Sequence, residues 1–329
     1  MITSSRSLRA VIIGNRLFMV TNLGSSTPIW SIGIYTGISP LLLLPPAVGP
    51  APALTAADVS DVPASFVADP FFLRENGEWF MFFEMMSSET GRGEIGLAKS
   101  RDGLSWRYQE SVLRRDFHLS YPHVFRSGGD YYMIPEALGQ GAIVLYRAER
   151  FPFAWKPEAR LIEGSFADPT PFQFDGIWWL FACPTPYQHD SLRLYYSPGL
   201  TGDWKEHPLS PVIEKNPSRA RPGGRVISFN GRLIRFAQDC TPYYGHRLRA
   251  FEITRLSPRE YNERECTESP VLTPGSGWNS AGMHHADAQE MPAGNWVACV
   301  DGHRFHSQRA GTPEPSPLSR LYRRLRHRS

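Results

Sequence analysis

The chain has 329 residues, a formal net charge of +3 and 41% hydrophobic residues. That is enough apolar material for a full core. The charge is too small, with no interleaving of basic and aromatic side chains, to call for nucleic acid. Aromatic residues at 12% favour strands and surfaces that stack on flat ligands.

At the N-terminus Arg6 and Arg9 precede an apolar stretch that Gly14, Asn15 and Arg16 interrupt. A secretory core would be longer and unbroken. Leu41 to Leu44 stop at Pro45 and Pro46, far short of a membrane span. The cysteines, Cys183, Cys240, Cys266 and Cys299, lie far apart with no C-x-x-C pair, which suits buried, reduced thiols better than a zinc or redox motif. These features lead us to expect a soluble, cytoplasmic protein with no stable membrane insertion.

From residue 66 onward the chain repeats itself. Trp106, Trp155 and Trp204 are evenly spaced, each closing a similar phrase (RDGLSW, RFPFAW, GLTGDW), and Tyr261 closes a fourth. Within each unit a turn pair precedes an aromatic and aliphatic strand: Asn76-Gly77 before WFMFFE, Gly129-Asp130 before YYMIPE, Asp175-Gly176 before WWLFAC, Asn230-Gly231 before LIRFAQ, and Gly294-Asn295 before WVACVD. Asn-Gly and Asp-Gly between apolar runs signal hairpins, because both residues accept the positive φ of a type I′ turn. A further strand lies on either side, and the closing aromatic marks a fourth. Five meanders of about 50 residues suit radial closure, which protects sheet edges.

The predicted fold is therefore all-β, a five-bladed β-propeller over residues 1–304, with blades beginning near 66, 119, 166, 220 and 283. The fifth unit runs out of strand material after Asp301. Residues 28–37, PIWSIGIYTG, resemble the third strand EIGLAKS and would complete it. The remaining 305–329 form a basic, flexible tail whose Arg320, Arg323, Arg324, Arg326 and Arg328 have no acidic partner. Its alternative reading is contact with anionic lipid or another polyanion.

In a propeller the innermost strands line a central funnel. Their starts here are Asp69-Pro70, Tyr121-Pro122-His123, Asp168-Pro169, Arg221-Pro222 and Asp287. Converging carboxylates are what glycosidic chemistry needs, one to protonate the leaving oxygen and one to act at the anomeric carbon. Each has a plainer reading. Asp-Pro often caps a turn, and Glu136 could accept backbone N–H groups at a strand end. Arg221 and Arg225 could pair with Asp287 or Asp239, or grip a phosphate or sugar carboxylate. His284 and His285, like His303 with His306, lack a third ligand at hairpin or helical spacing, so no metal is assigned. No G-x-G-x-x-G, Walker A, G-x-S-x-G or H-E-x-x-H motif is present, and no cofactor is expected.

FVADPFFLRENGEWFMFFE and SFADPTPFQFDGIWWLF resemble the first- and third-blade openings of the five-bladed glycoside hydrolase superfamily, which includes arabinanases and levansucrases. VADPFF, GEIGLAKSRDGLSW, FHLSYPHVF, YYMIPEA, RPGGRV, FAQDC and GMHHAD resemble, more closely, the N-terminal domain of plant glucosamine inositolphosphorylceramide transferase and its stand-alone bacterial relatives. The resemblance implies that Asp69 is base or nucleophile and that Asp168 tunes the acid and orients the sugar. Arg221-Pro222-Gly223-Gly224-Arg225 stands where the hydrolases present an acidic Glu. Glu136, at the end of a strand of apolar neighbours, is the replacement acid, with a pKa that burial would raise. His123, Arg221, Arg225, Gln238, Asp239, His284, His285 and Asp287 are assigned to substrate binding. The expected activity is hydrolysis or transglycosylation of a glycan or glycolipid. The rival is a non-catalytic glycan- or glycolipid-binding propeller that assists glycosyltransferases.

Overall fold

A computed structural model describes residues 9–13, 16–20, 27–47 and 51–305. Most of the basic tail and His306 lie outside them. Near the N-terminus, Arg9–Ile13 and Arg16–Val20 pair as a two-stranded antiparallel hairpin. Residues Ile29–Arg304 form one compact unit.

That unit is a five-bladed propeller of five four-stranded antiparallel sheets. Blade one comprises Ala64–Glu75, Glu78–Ser87, Gly93–Ser100 and Arg107–Leu113. Blade two comprises Ser120–Ser127, Asp130–Glu136, Ala142–Arg150 and Ala154–Glu163. Blade three comprises Ala167–Phe174, Ile177–Cys183, Arg193–Ser197 and Lys205–Glu206. Blade four comprises Ile227–Phe229, Arg232–Asp239, Arg247–Ser257 and Glu260–Glu265. In blade five Ala286–Glu290 and Trp296–Phe305 are followed in the sheet by Pro28–Ser39 and Leu42–Leu44, so an early segment of the chain closes the ring.

Two details differ from the sequence reading. The second strand of blade five continues past Asp301 to Phe305, because His303 bridges to Gly282 and keeps the chain extended. The first strand of blade four is short, and Arg221-Pro222 precedes it, held beside the second strand by an isolated Pro222–Ala237 bridge.

Five apolar clusters fill the wedges between successive blades, the last joining blade five to blade one. The repeated aromatic earns its place here. Trp106 stacks on Phe72 at 5.2 Å in the wedge between blades five and one. Trp155, Trp204 and Tyr261 fill the next three wedges, each packing its blade against the one before.

Polar side chains tie the blades together along the axis. Arg225 donates to Asp287 of blade five at 2.8 and 3.1 Å, to the Phe72 carbonyl of blade one and to the Val124 carbonyl of blade two. The Tyr121 hydroxyl joins Thr170 of blade three and the Gly224 N–H of blade four. Gly224 has φ 140°, and a Cβ there would stand 1.9 Å from the Ala286 carbonyl oxygen, so only glycine lets blades four and five approach this closely.

Candidate functional site

The first strands of blades one, two and three each bend at the funnel. Asp69, Tyr121 and Asp168 have φ of 51°, 47° and 50°, and the pairing register shifts beside each of them. A non-glycine residue in this left-handed region costs about 1–2 kcal/mol, and a bulge re-aims its side chain. The repeated Asp-Pro and Tyr-Pro steps therefore mark strained points.

The second strands supply the matching wall. Glu84, Glu136 and Cys183 stand opposite Ala68, Ser120 and Ala167, the residues just before the bends. Asp301 lies midway along the corresponding strand of blade five. Glu84 and Asp301 were not singled out from the sequence. The signal was there, because both occupy the Glu136 position of their repeats.

Two arrays result. In one, the Arg221 Nε–H donates to Asp168 Oδ2 at 2.5 Å and Nη2 donates to Glu136 Oε2 at 3.2 Å. Gln238 Nε2 donates to the same Asp168 oxygen at 2.8 Å. Two carboxyl groups thus face one guanidinium in a buried site. Burial pushes the Asp168 carboxyl up to about 8, with Arg221 opposing and Glu136 adding to the rise. Burial works against the Arg221 charge, but Asp168, Tyr244 and Glu136 outweigh it and raise its pKa.

In the other array, Asp301 accepts from His284 Nδ1–H at 2.7 Å and from the backbone N–H groups of His284, His285 and Asp69. Burial opposes its charge, yet His284 and these donors hold its pKa below the usual carboxylate value. With Nδ1 protonated by this contact, His284 Nε2 is an acceptor, and the Tyr244 hydroxyl donates to it at 2.9 Å. Asp69 Oδ1 lies 3.7 Å from Nε2, too far for a hydrogen bond, and has no hydrogen-bond partner although Asp69 is buried. Burial raises the Asp69 pKa well above its usual value, and Asp301, Glu84, Asp168 and Glu136 push it further. Asp69, His284 and Asp301 also bring one possible ligand atom each within 4.8 Å of one another, a spacing a metal ion could use.

The remaining predicted residues are built into the scaffold. Asp239 is held by Arg247 at 3.1 Å, by Arg249 at 2.9 Å and by Thr241. His123 packs on Phe71 at 4.7 Å, and burial, then Arg225, keep its pKa well below normal. His285 Nε2–H donates to the Pro70 carbonyl at 2.8 Å, and burial lowers its pKa to about 4. Asp287 is spent on Arg225 and on the Phe72 N–H. A cavity of about 370 Å³ opens at the opposite ends of the first strands, lined by Arg74, Glu75, Arg126, Arg225 and Gln289 among others. It lies away from Asp69, Asp168 and Glu136, which do not line it.

These groups set a pH window. His123, His285 and His303 are buried and His189 is half-buried, all with lowered pKa values, about 3 for His189 and about 4 for His285 and His303. The unfolded chain therefore takes up protons first, and stability falls as pH drops below 6.5. Asp69 and Asp168 have the opposite sign: their raised pKa values give stability that is full below about 4 and is lost as pH rises, through about 8 for Asp168. Four imidazoles outweigh two carboxyls on the acid side. Tm measured between about pH 5 and about pH 8.5 is expected to peak near 6.5, and a Tm still climbing at pH 8 would contradict these assignments.

The fold is that of a five-bladed β-propeller with buried carboxyl groups at its funnel. Solved structures agree on the architecture: a β-1,2-mannobiose phosphorylase from Listeria innocua has TM-score 0.58 and 14% identity, over 82% of this chain and 96% of that one. A thermostable family-43 glycoside hydrolase has TM-score 0.51 and 16% identity, over 73% and 89%. Residues 24–303 match the family described as glucosamine inositolphosphorylceramide transferase 1, N-terminal, and the chain belongs to that family. Glucosamine inositolphosphorylceramide transferase 1 from Oryza sativa subsp. japonica is 35% identical over 300 residues, 84% of this chain and 40% of the relative. The Arabidopsis thaliana protein of the same name is also 35% identical, over 84% and 39%. The chain thus spans about 40% of the length of these curated relatives. Among the described residues no helix is long and apolar enough to cross a membrane.

Proposed function

We propose that this propeller acts on a glycan or glycolipid by proton transfer within its funnel, as a hydrolase or transglycosylase. The observation that carries this reading is the Asp301–His284–Asp69 line, in which one carboxylate fixes an imidazole whose other nitrogen lies 3.7 Å from a second, buried carboxyl with a raised pKa. Asp69 and His284 act as one proton-holding unit. When a ligand hydroxyl approaches Nε2, the imidazole takes its proton and Asp301 stabilises the resulting charge. The proton shared by Asp168 and Glu136 supplies the leaving oxygen. Arg221 keeps that pair in place and balances its remaining charge. The buried free cysteines fit a reducing, cytoplasmic setting.

One observation favours a second reading. Arg221 already fills the space between Asp168 and Glu136, as it would in a propeller that only binds glycans and serves a glycosyltransferase. A panel of nitrophenyl glycosides, oligosaccharides and glycolipids separates the two, with turnover and binding measured on the same samples. Turnover supports the enzyme, and binding with no turnover selects the partner role. No interaction with any member of the panel would sink both.

A further inference from the structure

Two loops on the strand-start side of the propeller meet over the funnel. Residues 184–192 join the second and third strands of blade three, and residues 240–246 do the same in blade four. Arg221 pins the first loop: Nη1 donates to the Pro186 carbonyl at 3.0 Å and meets His189 Nδ1 at 2.9 Å. The second loop lays the Tyr244 ring over the same guanidinium at 5.0 Å, and the His189 ring stacks on Tyr244 at 4.9 Å. Tyr243 anchors this loop to the connection that leads into blade five, through the Ala281 carbonyl at 2.8 Å. Tyr244 as a residue remains 38% exposed, while its hydroxyl reaches inward to His284 Nε2 at 2.9 Å. Burial raises the phenol pKa, so it stays a neutral donor.

One side chain thus occupies both features a ligand would need. Its hydroxyl satisfies the only nitrogen of His284 that Asp301 leaves open, and its flat face covers the cation that holds Asp168 and Glu136. We propose that the Tyr244 phenol sits in the ligand subsite, and that a hydroxyl-bearing sugar ring displaces it, placing a hydroxyl on His284 Nε2 and a ring face towards Arg221. This rests on the glycan-directed reading and adds where the sugar binds and what must move. The funnel with Tyr244 on His284 is then a self-occupied state. The mouth loops are the moving part, because the strands beneath them are fixed by the axial Arg225–Asp287 pair.

The test is carbethoxylation of His284 by diethyl pyrocarbonate, followed by peptide mass spectrometry, which needs no turnover. Wild type, Tyr244→Phe and Tyr244→Ala are compared, with buried His285 as internal reference. Loss of the hydroxyl in Tyr244→Phe is expected to speed His284 labelling by about five- to ten-fold, the equivalent of one hydrogen bond. Tyr244→Ala is expected to speed it further and to bind p-cresol, which restores protection, while His285 stays unlabelled. Methyl β-D-glucopyranoside and the panel member that binds best are added to wild type as sugar probes. A bound sugar is expected to accelerate exchange of amide hydrogens in 240–246. Equal His284 labelling in all three proteins would overturn the proposal even if turnover were found. Labelling that responds as expected in a protein without turnover would uphold the self-occupied subsite and reject only the catalytic reading. Phe retains the ring, so Tyr244→Phe remains informative should Tyr244→Ala fail to fold.

Discussion

Replacing Asp301 with Asn is expected to lower turnover by roughly 10²- to 10⁴-fold, the range seen when the carboxylate that orients a catalytic imidazole becomes an amide. Asp301 Oδ1 accepts from His284 Nδ1–H and from two backbone N–H groups, and Oδ2 accepts from the Asp69 N–H. An amide can accept on one side only. If its NH₂ faces His284, the imidazole must present a lone pair at Nδ1 and carry its proton on Nε2, where it can no longer act as a base. If its NH₂ faces Asp69, it opposes a backbone donor and the bend at Asp69 is disturbed. The fold change is read from kcat, and the tautomer from ¹⁵N shifts of labelled His284. Unchanged kcat with the proton still on Nδ1 would show that the Asp301 charge takes no part.

Arg221→Met is expected to destabilise the fold by about 3–5 kcal/mol, the usual cost of leaving a buried ion pair with one partner missing. Met roughly fills the space but supplies no charge for Asp168 or Glu136, and it frees the Pro186 carbonyl and His189. The loss should be larger at pH 8 than at pH 6, because protonation of the pair relieves the unpaired charge at the lower pH. Adding Asp168→Asn and Glu136→Gln to the same chain is expected to recover most of the stability, since neutral amides need no cation. Chemical denaturation at the two pH values measures both effects. A single substitution costing under about 1 kcal/mol would mean that the guanidinium is not what keeps these carboxylates buried.

The architecture was legible because each wedge between blades repeats the same demand. A closing aromatic must pack against the preceding blade, and Trp106, Trp155, Trp204 and Tyr261 record that need at regular spacing. The strand supplied by residues 28–37 was readable for the same reason, as it carries the third-strand pattern. The funnel was read only in part. Asp69, Asp168 and Glu136 stood out because a polar residue next to Pro or at the end of an apolar strand breaks a pattern. Pairing could not be read that way. Whether Arg221 takes Asp168 or an external anion depends on side-chain distances across blades, far apart in sequence. Tyr244 was missed because it sits in a loop with no repeat to compare it with. Asp239 was expected to bind substrate or to pair with Arg221 or Arg225, yet Arg247 and Arg249 on the neighbouring strand take it up.

The account depends on Asp69 being a proton-carrying group that the ligand meets in the funnel. Asp69→Asn keeps the shape and the backbone bend but cannot exchange a proton, so the decisive measurement is kcat and Kd for this variant beside wild type on the best member of the glycan panel. The prediction is a Kd within about three-fold of wild type with kcat reduced by about 100-fold or more. Turnover at the wild-type rate in Asp69→Asn would contradict it and leave the funnel carboxylates with a structural role alone.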